Sequence, residues 1–223
     1  MEQHVLVVFP HPDDETFGCG GTLARFAKSG VPVTYVCGTL GQMGRNMGNP
    51  FFANRESLPN IREAELAEAC QAIGIQRVIK LGLRDKTIEF EDPEMLVGKI
   101  DEILREIRPT LVITHYPGYA VHPDHNALGE ATIRAISRLP LEDRPIVYAH
   151  AFSRDCQDIL GPADIVNDIS DLSEVKLAAV RAHKSQSQLF ISRISNGKTK
   201  EKSSKNSFSH MLQRESFWTY HFS

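Results

Sequence analysis

Cysteine is scarce in this chain, and the four present, Cys19, Cys37, Cys70 and Cys156, lie far apart with no C-x-x-C pair. That spacing excludes a disulfide-stapled scaffold and a cysteine-based zinc site, and the thiols read as reduced. No apolar run approaches the ~20 residues of a membrane span. The first run, Val5-Leu6-Val7-Val8-Phe9, stops at Pro10, too short for the core of a secretory signal. These absences place the protein in the cytoplasm as an expectation. Internal repeats are missing too, and hydrophobic content of 41% with charged content of 24% carries no bias toward disorder. A length of 223 residues predicts one domain over 1–223.

Basic charge is in deficit over most of the chain. Residues 181–223 hold eight Lys or Arg against two acids, which leaves 17 basic and 26 acidic residues, a net of −9, in the first 180. An acidic body does not read as a nucleic-acid binder. The basic stretch near 193–207 reads as a flexible solvated segment.

What is present is a rhythm of short β-rich runs and helical patterns. Residues 5–9, 31–37, 77–81, 111–115 and 146–152 read as strands, apolar enough to be covered on both faces. Between them, 22–28, 60–72, 93–107 and 126–138 read as helices, with Gly30 and Gly74 as stops and Pro93 suited to a first turn. The expected fold is α/β, a three-layer, mostly parallel sheet flanked by helices. Residues 39–59, rich in Gly and Asn, break the rhythm and are expected to form a substrate lid. A last long helix is expected over 171–184. The closing aromatic run 217–220 should pack back on the body or on a second copy.

Two clusters carry the chemistry. His11-Pro12-Asp13-Asp14-Glu15 follows the first strand, and His122-Pro123-Asp124-His125 follows the fourth. Both fall at carboxyl ends of strands, where open α/β sheets bind ligands. His11 and Asp14, like His122 and His125, are three apart and can face one point on a helical turn. A divalent metal held by His11, Asp14 and one or both of His122 and His125 is the economical arrangement, with a position left for water. Asp13 would then take a proton from that water. Whichever of His122 and His125 is not a ligand would stabilise an oxyanion or protonate the leaving group. Asp124 either orients the catalytic imidazole or caps the following helix. Gly18-Cys19-Gly20-Gly21 fits a dinucleotide loop poorly and reads as tight backbone approach near the metal. His115, Tyr119 and Asp85 are expected on the same face, and Arg45, Arg55 and Arg62 are candidates for an anionic substrate group.

These residues, together with Thr39-Leu40-Gly41, Ile61 to Glu65, Leu81 to Asp85 and Ala182 to Gln186, resemble the LmbE or PIG-L superfamily of zinc-dependent N-acetylglucosamine deacetylases. The resemblance implies a Rossmann-like fold. It also implies zinc, or ferrous iron on the same ligands, bound by His11, Asp14 and His125. Asp13 would be the general base, His122 the oxyanion stabiliser or acid, and Arg62 and Asp85 substrate contacts. A small amino-sugar substrate and a homo-oligomer are implied as well. Residues 41–46 are similar to the branch acting on a malate conjugate in bacillithiol biosynthesis, whose two carboxylates would give the arginines Arg45, Arg55 and Arg62 a purpose. A tyrosine that relatives place two before the first His of the second motif is Ala120 here, with Tyr119 one residue earlier. Two rivals stand beside this reading: a non-haem iron oxygenase, which uses two His and one carboxylate, and a non-enzymatic metal- or nucleotide-binding regulatory module.

Overall fold

A computed structural model of the chain describes residues 2–195 and 202–222. Its centre is set by three strands without a polar face: β1 (Val5–Phe9), β2 (Val33–Thr39) and β4 (Leu111–His115) are buried at every position. Strands buried on both sides need helices on both sides. Along β1 the period of two sends Val5, Val7 and Phe9 into one apolar cluster and Leu6 and Val8 into the other. α1 (Asp14–Lys28) and α2 (Leu58–Ile73) contribute to the first, and α3 (Pro93–Ile107) and α4 (Pro123–Ser137) to the second.

Flanking strands complete the sheet: β3 (Arg77–Leu83), β5 (Ile146–His150), β6 (Ile165–Asp168) and β7 (Arg214–Thr219), in the order β3-β2-β1-β4-β5-β7-β6. The first five are parallel; β7 runs antiparallel to both β5 and β6. The chain builds outward from β1 through β2 to β3, then crosses to start again at β4 on the other side of β1. β1 and β4 pair directly, from Val5 opposite Leu111 to Val8 opposite Thr114. Their carboxyl ends therefore open on the topological switch point, where such sheets form a ligand crevice. The layered parallel architecture is the one expected.

Departures from the expected elements have physical causes. α1 begins at Asp14 rather than at 22, so the glycine run lies inside a helix and not against a metal. Gly21 leaves room for Ile169, which a Cβ there would meet at 2.4 Å. Propensity alone would not hold this helix, which kinks at Cys19 (φ −150°, ψ 15°). Glu215 on β7 accepts from the backbone N–H groups of Gly21 (2.9 Å) and Thr22 (2.7 Å) just past the kink, as a remote cap. The expected long helix breaks at His183 into α6 (Ser173–Ala182) and α7 (Lys184–Ser195). Around the basic stretch, α7 and α8 (Lys202–Gln213) are helical on either side of 196–201, which lies outside the described residues. The closing aromatic run is strand β7, with Phe217 and Trp218 buried against the body. β6 and the short helix α5 (Cys156–Leu160) have no counterpart in the expected elements.

Lys176 of α6 is fully buried, and its Nζ lies 2.6 Å from Glu215 Oε1 and 3.1 Å from the Phe17 carbonyl. This ion pair ties α6, α1 and β7 together. Removing one partner strands the other charge in the interior, at a cost of about 3–5 kcal/mol. Lys176→Met is expected to lower the urea-unfolding free energy by that order, and a Lys176→Met/Glu215→Leu double variant by less than the sum of the two single changes.

Candidate metal centre

Each cluster reaches the crevice through a short loop with a strained residue. Asp13 has φ 102°, and Val121, a β-branched residue, has φ 59°. Such conformations cost on the order of 1–3 kcal/mol and persist only where the surroundings enforce them. For Asp13 the enforcement is visible. Its N–H donates to Glu15 Oε2 (2.9 Å), and its carbonyl accepts from Thr16 (3.0 Å) and Phe17 (2.9 Å). Glu15 is in turn buried and bonded to Thr16 Oγ1 (2.6 Å) and His183 Nε2 (2.9 Å). Burial works against a charge on His183, and Glu15 overcomes it, raising the imidazole's pKa.

Three donors converge at the centre. His11 Nδ1 lies 3.1 Å from His125 Nε2, and the Asp14 carboxylate is 3.4 Å from each. The far sides of both rings assign their protons. His11 Nε2 donates toward Asp124 Oδ2 (3.1 Å) and Asp85 Oδ1 (3.2 Å), and His125 Nδ1 donates to the Ala120 carbonyl (3.2 Å). Each imidazole then presents a lone pair to the other and to a carboxylate. Lone pairs facing at this distance repel unless a cation lies between them, so the donor set fits a divalent metal. Carboxylate partners on the outer nitrogen of a metal-ligating His are the usual support. Burial opposes charge on His11 and on Asp14. With no cation between them, hydrogen bonds donated to the carboxylates of Asp124, Asp14 and Asp85 raise His11 well above its ordinary pKa, and the adjacent His125 and His11 hold Asp14 well below the usual carboxylate range.

Asp124 corrects one expectation. Its carboxylate neither orients His122 nor caps α4; it holds His11 and accepts from the backbone N–H of Lys86 (2.7 Å) and Ile88 (3.1 Å). The cap of α4 is His122, whose Nδ1 accepts from the Asp124 N–H at 3.1 Å. That bond places the proton of neutral His122 on Nε2. Burial, then His11 and His125, lower its pKa and favour this neutral form.

Asp13 stands beside the three donors without joining them. Burial first, opposed by the nearby Arg62 and assisted by Asp14, moves its pKa up to about 6. Arg62 was expected to meet substrate, yet its side chain is buried, with contacts to the Pro12 carbonyl, the Gly41 carbonyl (3.1 Å) and Asp13 Oδ2 (3.1 Å). Gly41, at φ 61°, makes room for it, since a Cβ there would fall 1.8 Å from the guanidinium. Asp85 is likewise committed, to His11 and to the Met43 N–H (2.7 Å). Tyr119 does not line the crevice. It packs with Tyr116, Ala151 and Trp218, because the chain turns inward at Ala120. Arg55 donates to carbonyls of its own loop. Arg45 does line the crevice, with Met43, Gly44, Lys86 and Gln186. The segment expected as a lid is latched by Asn46 and Gln186, each donating to the other's carbonyl at 3.1 and 3.0 Å. His115 supports the centre from beneath, its ring stacked on His125 at 4.0 Å.

Comparison with known proteins places this geometry. Residues 6–136 match the family model described as PIG-L, GlcNAc-PI de-N-acetylase. The chain belongs to the PIG-L family. It is 50% identical over 220 residues to a probable N-acetyl-alpha-D-glucosaminyl L-malate deacetylase 2 of Bacillus cereus, covering 99% of each chain. Among solved structures it is similar to N,N'-diacetylchitobiose deacetylase from Pyrococcus horikoshii, with a TM-score of 0.73, 24% identity and coverage of 98% of this chain and 84% of that one. It is also similar to GalB, the 4-carboxy-2-hydroxymuconate hydratase of a Pseudomonas, with a TM-score of 0.74, 19% identity and coverage of 99% and 97%. At these identities the structural likenesses speak for the fold alone.

In this PIG-L chain, groups that sequence reasoning left without a role turn out to support the centre: Glu15 and His183 behind Asp13, Gln186 on the crevice wall, and the backbone N–H of Lys86, which holds Asp124. Only the Ala182 to Gln186 motif flagged any of the last three. Among the described residues, no helix is long and apolar enough to cross a membrane.

Metal binding tests the donor assignment. Asp14→Ala and His125→Ala are expected to abolish stoichiometric divalent metal in elemental analysis of the purified protein. Asp124→Asn, which keeps the three donors but weakens the grip on His11, should lower zinc affinity about 10- to 100-fold in a competition titration.

Proposed function

We propose that this chain is a metal-dependent amide hydrolase that removes acetate from an N-acetylglucosamine-type sugar, with N-acetylglucosaminyl malate as its substrate and residues 1–223 acting as one catalytic domain. Two facing imidazole lone pairs joined by a carboxylate, with Asp13 held beside them by Arg62, carry the chemical part of this reading. The substrate rests on the near full-length identity to the Bacillus cereus relative. His11, Asp14 and His125 would hold zinc, or ferrous iron. Such an ion lowers the pKa of a bound water to about 7 and polarises a carbonyl oxygen.

The chain's own residues supply the rest. Asp13, raised toward neutrality by burial, accepts the proton of the attacking water as its oxygen bonds to the acetyl carbon. Arg62 keeps the Asp13 carboxylate in place, and Glu15 and His183 fix the backbone that carries it. Neutral His122 offers its Nε2–H to the oxyanion formed on the acetyl oxygen. The C–N bond then breaks, the amine nitrogen takes the proton held by Asp13, and acetate and the free amino sugar leave.

The oxygenase and the regulatory module give a different outcome in one assay. Acetate release from N-acetylglucosaminyl malate and from free N-acetylglucosamine would be followed with metal-stripped protein, with and without added zinc or ferrous iron. Release that needs metal, needs no oxygen and is faster for the conjugate supports the proposal; metal-loaded protein that releases no acetate overturns it. Asp13→Asn is expected to retain zinc and lose on the order of 10²- to 10⁴-fold in kcat. Only the ionised carboxylate accepts a proton, and an added cation favours that form. Wild-type kcat/KM should therefore fall as pH drops, on a limb at or below about 6. Undiminished turnover below pH 4 would remove Asp13 from the base role.

A further inference from the structure

The crevice floor is strongly acidic. Asp13, Asp14 and Asp85 line it, and Asp124 lies directly behind His11. A neutral N-acetyl sugar needs no further charge at the rim, whereas an anionic group attached to the sugar would be repelled by this floor. Among the described residues three cations line the crevice, and Arg62 is consumed by Asp13 and two carbonyls. The other two, Arg45 and Lys86, are exposed and form no ion pair among the described residues. Arg45 rides on the long segment after β2, whereas Lys86 is built in.

Lys86 follows Asp85 at the end of β3 in a left-handed conformation, φ 66°, which a lysine adopts only under constraint. The constraint is the metal centre itself. The Lys86 N–H donates to Asp124 Oδ2 (2.7 Å), the oxygen that also holds His11 Nε2, and the residue before it, Asp85, holds the same imidazole nitrogen. The Lys86 backbone is thus fixed relative to His11 through two carboxylates. A lysine that served only solubility would need neither the strain nor this anchorage.

We infer that Lys86 is a specificity-determining residue whose ammonium group binds a carboxylate of the substrate's aglycone, with Arg45, which lines the same crevice, as a second cation for that anionic group. This rests on the substrate reading above and adds to it the residue that recognises the acid. Binding a dicarboxylate at the rim leaves the acetamide free to reach Asp13, so the contact acts on substrate affinity and not on the chemical step.

The test compares two substrates, N-acetylglucosaminyl malate and methyl N-acetylglucosaminide, in zinc-loaded wild type, Lys86→Gln and Lys86→Arg. Loss of one charge-assisted hydrogen bond corresponds to about tenfold or more in affinity. Lys86→Gln is expected to raise KM for the malate conjugate by at least tenfold, with kcat within about twofold and both constants for the methyl glycoside unchanged; Lys86→Arg should restore most of the loss. A wild-type preference for the malate conjugate that survives Lys86→Gln overturns this inference alone, as does an equal loss on both substrates. A wild-type enzyme indifferent to the charge of the aglycone overturns the substrate reading and the inference together.

Discussion

His11 spends its two ring nitrogens in opposite directions, and the arrangement of the crevice depends on that division. Asp124 and Asp85 take the Nε2 proton, which leaves Nδ1 as a lone pair toward His125 and Asp14. The two carboxylates come from different parts of the chain, the end of β3 and the first turn of α4, and each is fixed by backbone N–H groups of other segments. The imidazole therefore joins the two halves of the sheet at their switch point. Without it, the loop after β3 and the head of α4 would lose a common anchor, and Asp14, Asp85 and Asp124 would lose the one partner they share.

The same economy explains why so few crevice side chains are idle. Arg62 is spent on Asp13 and on the carbonyls that shape the first loop. Glu15 is spent on the strained backbone of Asp13 and on His183. Strain at Asp13 is thus held by buried polar contacts, and those contacts also bring α7 against the segment 46–49 through Gln186 and Gln188. Precise placement of one carboxylate draws on residues more than 160 positions away in the chain.

Much of this was legible in the sequence, and the limits are instructive. β1 and β4 were readable to the residue because strands buried on both faces leave apolar runs, unbroken over 5–9 and over 111–113 before the buried Thr114 and His115. The two His and Asp clusters were visible because each is local. Invisible were effects that arise only between distant segments. The helix at 14–28 contradicts its own glycines because Glu215 caps it from β7. Arg62 looked like a substrate ligand because spacing does not reveal that a guanidinium is already occupied. Tyr119 looked like a site residue because nothing in its neighbourhood announces the inward turn at Ala120. Lys86 carried no signal, since its importance lies in a backbone bond to Asp124.

The position of β7 has a bearing on how the molecule comes into being. β6 has one neighbour in the sheet, and that neighbour is β7, which follows it by some 45 residues and is itself laid against β5. A chain emerging from the ribosome in order can assemble the five parallel strands early, but β6 must wait unpaired until β7 arrives. Glu215 arrives with it, and only then do the N–H groups beyond the kink in α1 find their acceptor and Lys176 its counter-charge. The helix that opens with Asp14 is completed by a residue made about 200 positions later, so a motif that leaves the ribosome before most of the parallel strands is set only after them.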